Sequence, residues 1–425
     1  MSLDNRLRNY RVDDEPLEVE SALAEVRRRA RRALVVRRAG VAALTALAVA
    51  AAIIVPGLIT DRRKPGGFVS PPPEPRSTLS FRPAVSKGQA RLIAYTDRHD
   101  LWIYDVRTDR AKRLTADADR KEESNPRFFG TDYVLYSTTT PTAIEAIPVN
   151  GGGSQTIVRD QGTILDFDVS PDASSIVYLQ TNYNGDAVHR LKRVDLSSGN
   201  SSVVLSLGTP PGRGAGSEDE TSVAWSPDGR SILVTDTAMD DGRSIFLLDR
   251  EGRLMTQPWS GTHARWSPDG KTIYYRGYAG ASLGLPPSDL KWRAFSVATK
   301  TRKTLGFRRG SNNLTVSPDG NRVSYDTSYF GDTSPEAIRS GEAPIVYVYD
   351  LRTRKETSLK RGALLPLWIS SSDVLVTDAI HPPKGRPTLN SWEATGTITK
   401  ITVGGRAQPT SLTATLWEPA VLFDR

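Results

Sequence analysis

The sequence predicts an all-β chain folded as a seven-bladed β-propeller and preceded by an N-terminal amphipathic and transmembrane helix. Three observations predict it. A Ser-Pro-Asp-Gly turn returns between strand-like segments, as AWSPDGRSIL, RWSPDGKTIY and TVSPDGNRVSY. A second hairpin pattern follows each of these turns and repeats at intervals of about 43 to 54 residues. One uncharged run, residues 39–60, is long enough to cross a bilayer and precedes every repeat. A six-bladed ring is the alternative count.

Residues 1–38 read as a cytoplasmic basic juxtamembrane segment. From Pro16 to Val36, the apolar residues Val19, Leu23, Val26, Ala30 and Leu34 recur at helical steps. Asp13, Asp14, Glu15, Glu18 and Glu20 crowd the start of this helix. Arg27, Arg28, Arg29, Arg31, Arg32, Arg37 and Arg38 crowd its end, as the helix dipole favours. The formal net charge of +8 therefore has a local source. It points to a membrane surface or a cytoplasmic partner of residues 1–38, and not to nucleic acid.

Residues 39–60, AGVAALTALAVAAAIIVPGLIT, would span roughly 33 Å as a helix, about the thickness of a hydrocarbon core. A cleaved signal peptide would have a shorter apolar region, a shorter leader and a small-x-small cleavage site, which PGLITDRRK does not offer. The arginine cluster before the run sets the N-terminus in the cytoplasm and residues 61–425 outside, in a single-pass cell-membrane protein. Residues 61–87 are rich in Pro, Gly and Ser and read as an extended linker. The propeller is expected over residues 88–425.

Within the repeats, the proline fixes φ for the second turn position and the aspartate bonds its own backbone. The glycine accepts a left-handed conformation. Each turn lies between an apolar-ended strand (TSVAW, THARW, NNLTV) and an alternating one (RSILVTD, KTIYYRG, NRVSYDT), which makes a hairpin. Degenerate copies occur at Asp168 (DVSPDASSIVYL), Arg127 (RFFGTDYVLYS) and Leu367 (LWISSSDVLVT). The second hairpins align on Asp105, Pro148, Asp195, Asp249, Ser296, Asp350 and Thr402. At Arg91 the chain enters one blade already at its second strand. The missing first strand is expected from the C-terminus, in TLWEPAVLFDR from Thr415, which closes the ring and removes its open edge.

Repeated WSPDG, followed by I-x-Y and about twenty residues later by Y-D-L, resembles the WD40-like repeats of TolB-type bacterial β-propellers over roughly residues 88 to 425. The resemblance implies an extracytoplasmic propeller that scaffolds or binds other molecules. The chain departs from TolB itself in having no separate N-terminal globular domain, and in its anchor and blade number.

No chemistry-bearing motif survives its context. GASLG at 280–284 matches a nucleophile elbow with Ser282, but Pro286 and Pro287 follow where a helix is required. DGKT at 269–272 lacks the upstream glycine of a phosphate-binding loop, since Arg265 stands there. In SPDG the glycine comes one residue too early for a sialidase Asp-box. The absence of cysteine excludes disulfides and thiolate metal sites. Asp236, Asp240 and Asp241, like Glu218, Asp219 and Glu220, read as solvated loop acids with no metal-loop spacing. Trp225, Trp266 and Trp368 end first strands and are expected to pack between blades.

The expectation is a non-catalytic, membrane-anchored scaffold without catalytic residue, cofactor or metal, binding a protein or cell-envelope ligand on the propeller. The alternative is a transmembrane signalling regulator of anti-sigma type, with the propeller as external sensor.

Overall fold

A computed structural model describes residues 85–116, 121–182, 188–207, 221–239, 242–277, 291–307, 312–327, 343–380, 393–414 and 419–423. The amphipathic segment, the apolar run 39–60 and the linker as far as residue 84 lie outside the described residues.

Seven four-stranded antiparallel sheets make seven blades. The first consists of β1 (Val85–Asp97), β2 (Asp100–Asp105) and β3 (Arg110–Arg113), with β28 (Ala420–Phe423) added beside β1. The second contains β4 (Glu123–Phe129), β5 (Tyr133–Thr139), β6 (Thr142–Pro148) and β7 (Gln155–Arg159). β8 (Thr163–Val169), β9 (Ser175–Asn182), β10 (Val188–Asp195) and β11 (Ser201–Leu207) form the third. In the fourth are β12 (Ser222–Trp225), β13 (Ser231–Met239), β14 (Gly242–Asp249) and β15 (Trp259–Ser260). The fifth has β16 (Thr262–Trp266), β17 (Thr272–Gly277), β18 (Lys291–Ser296) and β19 (Arg302–Thr304). The sixth has β20 (Asn312–Val316), β21 (Arg322–Asp326), β22 (Ile345–Asp350) and β23 (Glu356–Arg361). The seventh has β24 (Ala363–Trp368), β25 (Asp373–Ile380), β26 (Glu393–Thr402) and β27 (Ala407–Thr413).

The core follows from the period of two along the middle strands. On β13, Ile232 and Val234 pack toward the third blade while Leu233 packs toward the fifth. On β22, Tyr347 and Tyr349 face the fifth blade and Val346 and Val348 the seventh. A strand buried on both faces carries apolar residues on both, which is why ILV and IVYVY read as continuous apolar runs. Seven apolar clusters result, one between each pair of successive blades, and the last joins the seventh blade to the first. Trp225, Trp266 and Trp368 pack into three of them, as expected from their place at first-strand ends.

The C-terminal strand closes the first blade. β28 pairs antiparallel with β1 in the register Ala94↔Ala420, Ile93↔Val421 and Leu92↔Leu422. First strands are half-buried and pack against the first strands of neighbouring blades, so they form the inner edge. Fourth strands such as β3 and β19 are exposed throughout and form the rim.

The Ser-Pro-Asp-Gly turns do what their composition requires. At Ser226 the hydroxyl donates to Asp228 Oδ1 at 2.6 Å, and the amides of Arg230 and Ser231 donate back to that oxygen and to Ser226 Oγ. Gly229 takes φ +68°, Gly270 +68° and Gly320 +70°. Successive turns also lie close to one another. A Cβ at Gly229 would lie 3.4 Å from Pro171, one at Gly270 3.5 Å from Pro227 and one at Gly320 3.8 Å from Pro268, so the turns of four successive blades stand side by side.

Candidate functional site

Strand direction sorts the connections onto two faces. Turns between first and second strands, and between third and fourth, lie on one face and are short. Connections from second to third strand, and from blade to blade, lie on the other. The strand ends on that face flank the longest linking segments, residues 208–221, 278–290, 327–344 and 381–392, most of which lie outside the described residues. First strands begin there, so this face holds one mouth of the central channel.

The described wall of that mouth is built from an irregularity repeated in four blades. The pairing of first with second strand slips between Ser124 and Arg127, Thr262 and Arg265, Asn312 and Thr315, and Leu364 and Leu367. One residue in each slip is left-handed: Asn125 at φ +52°, His263 at +52°, Asn313 at +47° and Leu365 at +52°. Bulges of this kind re-aim side chains beside binding sites. Asn and His tolerate the conformation locally; a leucine does not, and must be held there by its surroundings.

Neighbouring blades supply the hold. Asp326 Oδ2 accepts from Leu365 N at 2.8 Å and from Asn313 Nδ2 at 2.9 Å, tying the bulges of the sixth and seventh blades to one buried carboxylate. Asn125 Nδ2 donates to Leu165 O at 3.0 Å, and Arg276 Nη1 donates to Asn312 Oδ1. Thr262 Oγ1 lies 2.7 Å from His263 Nδ1. Deeper in, Arg127 Nη2 donates to Asp166 Oδ1 at 3.0 Å, and Asp166 Oδ2 accepts from Val223 N at 2.9 Å. Asp168 Oδ2 accepts from Trp225 N at 2.7 Å. Burial pushes the Asp168 carboxyl above the ordinary range, against the pull of Arg127 and of the Trp225 and Val169 amides. First strands of the second, third and fourth blades are thus cross-linked by side chains.

On the same face, His189 Nδ1 lies 2.8 Å from Asp236 Oδ1, joining the third and fourth blades. This corrects the reading of Asp236 as a solvated loop acid. β13 extends to Met239, and Asp236 falls on the side of that strand facing the third blade, where it is fully buried. Asp240, Asp241, Glu218, Asp219, Glu220, Ser282 and His381 lie outside the described residues. His99 is exposed in the β1–β2 turn. Among the described residues no group of three or more His, Asp or Glu side chains could hold a metal ion. The sequence signal for the bulges was present but slight: each left-handed residue stands three positions before Phe128, Trp266, Val316 or Trp368.

No family model and no curated protein matches the chain. Among solved structures, the chain is similar to an oligogalacturonate lyase in complex with manganese, at 15% identity over 76% of this chain and 90% of that one, with a TM-score of 0.53. It is also similar to the tricorn protease, at 13% identity over 80% of this chain and 35% of that one, with a TM-score of 0.51. TolB from Acinetobacter baumannii aligns at 21% identity over 78% of this chain and 82% of that one, with a TM-score of 0.42. At such identities the likeness shows the propeller fold alone, a fold that serves enzymes and non-enzymes alike.

Proposed function

We propose that the protein is a non-catalytic binding scaffold that takes a protein or cell-envelope ligand on the face bearing the long connections. The carrying observation is the mouth itself. Four first strands are bent by left-handed bulges at equivalent positions, each fixed by side chains, and the opposite face has only short self-satisfied turns. A rigid ring presenting variable connections around one opening is a recurrent arrangement for recognition. The apolar run 39–60 supports an anchor with residues 1–38 in the cytoplasm and the propeller outside.

The test is cross-linking of the intact protein in its own membrane. Replacing residues 278–290 and 381–392 by short Gly-Ser links should abolish specific adducts, whereas Arg352→Ala with Arg354→Ala on the opposite face should leave them. Equal adducts from both variants would reject a ligand on this face. A second reading, signalling to a cytoplasmic partner, is favoured by the stripe of Leu23, Val26, Ala30 and Leu34 before the span. Leu23→Asp with Val26→Asp separates the two, because a scaffold keeps its adducts and function while a regulator loses a stoichiometric partner of residues 1–38.

A further inference from the structure

Among the described residues every blade ends in a rim strand with one edge left without a strand partner, and natural sheets guard such edges with charge, proline, shortness or a bulge. Six rims here are guarded by charge, proline or shortness. β3 is RAKR, β19 is RKT, β7 ends in Arg159 and β23 holds Glu356, Lys360 and Arg361. β15 has two residues, and β27 contains Pro409 and is covered where Ser411 N donates to Asp109 Oδ1 at 2.9 Å. β11 is seven residues of SSVVLSL, with neither charge nor proline, and among these devices it has only the bulge at Val204. Beside its centre Val203 is 54% exposed, and Val203 and Leu254 are the exposed large hydrophobics of the described residues.

We propose that β11 is a self-association edge, where a second copy of this chain adds its own β11 antiparallel. The strand is nearly symmetric about Val204. Antiparallel pairing on that centre sets Val203 against Leu205 of the second copy, Ser202 against Ser206 and Ser201 against Leu207, with no charge brought against any other. Val204 is the residue that β11 skips in pairing with β10. It sits on the two-fold axis, and the regular segments on either side lie against one another. Because the same edge serves both copies, the contact is isologous and closes at two. It rests on the rim alone and is independent of any ligand at the channel mouth. A single strand pair buries less than the roughly 1,000 Å² of a stable interface, so the dimer is weak and reversible.

The chain has no cysteine, which permits a test specific for register. Full-length Ser202→Cys and Ser206→Cys proteins, kept in a mild detergent, are oxidised separately and mixed. In the proposed register residue 202 lies about 5 Å from residue 206 of the second copy, within disulfide reach, while like residues lie roughly 13 Å apart. The mixture should form disulfide dimers at least about tenfold faster than either variant alone. Adding Val203→Lys to both should slow the mixture about tenfold without lowering its melting temperature. No dimer in the mixture, dimers formed as readily by single variants, or indifference to Val203→Lys would each overturn the proposal.

Discussion

At Ala173 the third blade breaks the rule of its neighbours. The turn keeps Ser170, Pro171 and Asp172, and Ser170 Oγ still donates to Asp172 Oδ1 at 2.7 Å, but alanine occupies the left-handed position at φ +53°. A side chain there costs roughly 1–2 kcal/mol relative to glycine, and the greater freedom of an unfolded glycine returns about half of that. Ala173→Gly should therefore stabilise the protein by about 0.5 kcal/mol, measured as a higher denaturant midpoint with unchanged slope; an unchanged or lower midpoint would show that no strain is held there. Turn chemistry is local, so Ser-Pro-Asp-Gly was legible in sequence. The left-handed state of Leu365 was not, because its amide is held by Asp326 from another blade, and nothing beside Leu365 in sequence announces that carboxylate.

Among the elements, third strands were the most legible and the mouth the least. The seven residues aligned from sequence, from Asp105 to Thr402, each end the middle-to-outer strand of a blade, as the last residues of β2, β6, β10, β14, β18, β22 and β26. Four are aspartates that bond the turn beyond them. Asp195 accepts from the Ser197 and Ser198 amides and hydroxyls, which hold its carboxyl down at about 2. The Thr353 amide likewise holds Asp350 below the ordinary range. At Asp269 and Asp319 partial burial opposes, but Ser267, Ser317 and the turn amides still hold the carboxyls low. Carboxyls depressed by folding stabilise above the unfolded carboxylate range and lose that contribution as pH falls through their folded values. These turns should therefore make melting temperature fall between about pH 4 and 2, while Asp168, pushed up by burial, acts with the opposite sign and costs stability as pH rises from the unfolded carboxylate range toward its folded value. Asp195→Asn should melt lower than the parent at pH 7 and converge on it at acid pH; parallel curves would show that this turn is not linked to protonation. By contrast, Asp236 was misread because strand length, which residue type does not encode, decided whether it faced water or the third blade.

In the whole molecule, stability depends on closing the ring. The blades have no common centre: each packs on its two neighbours through alternate residues of its middle strands, so an open ring exposes two apolar faces at once. One short strand prevents that. Leu422 is 1% exposed and packs with Leu92, Ala94 and Tyr136 between the first and second blades, while Val421 and Phe423 pack against the cluster shared with the seventh. Ala90 N, just inside β1, donates to Ile369 O of the seventh blade, a second tie at the same seam. Leu422→Ala should thus cost about 2–5 kcal/mol, the range for a large-to-small change in a packed core. Deleting residues 415–425 should cost more, because it also leaves the inner edge of β1 unpaired beside the channel. The measurement is equilibrium unfolding of the parent, Leu422→Ala and the truncated chain, with light scattering to detect association through the bared edge. The expected order is parent, point variant, truncation, with only the truncation gaining scattering. A truncated chain as stable as Leu422→Ala would mean that the clusters of the other blades hold the first blade in place without its inner strand.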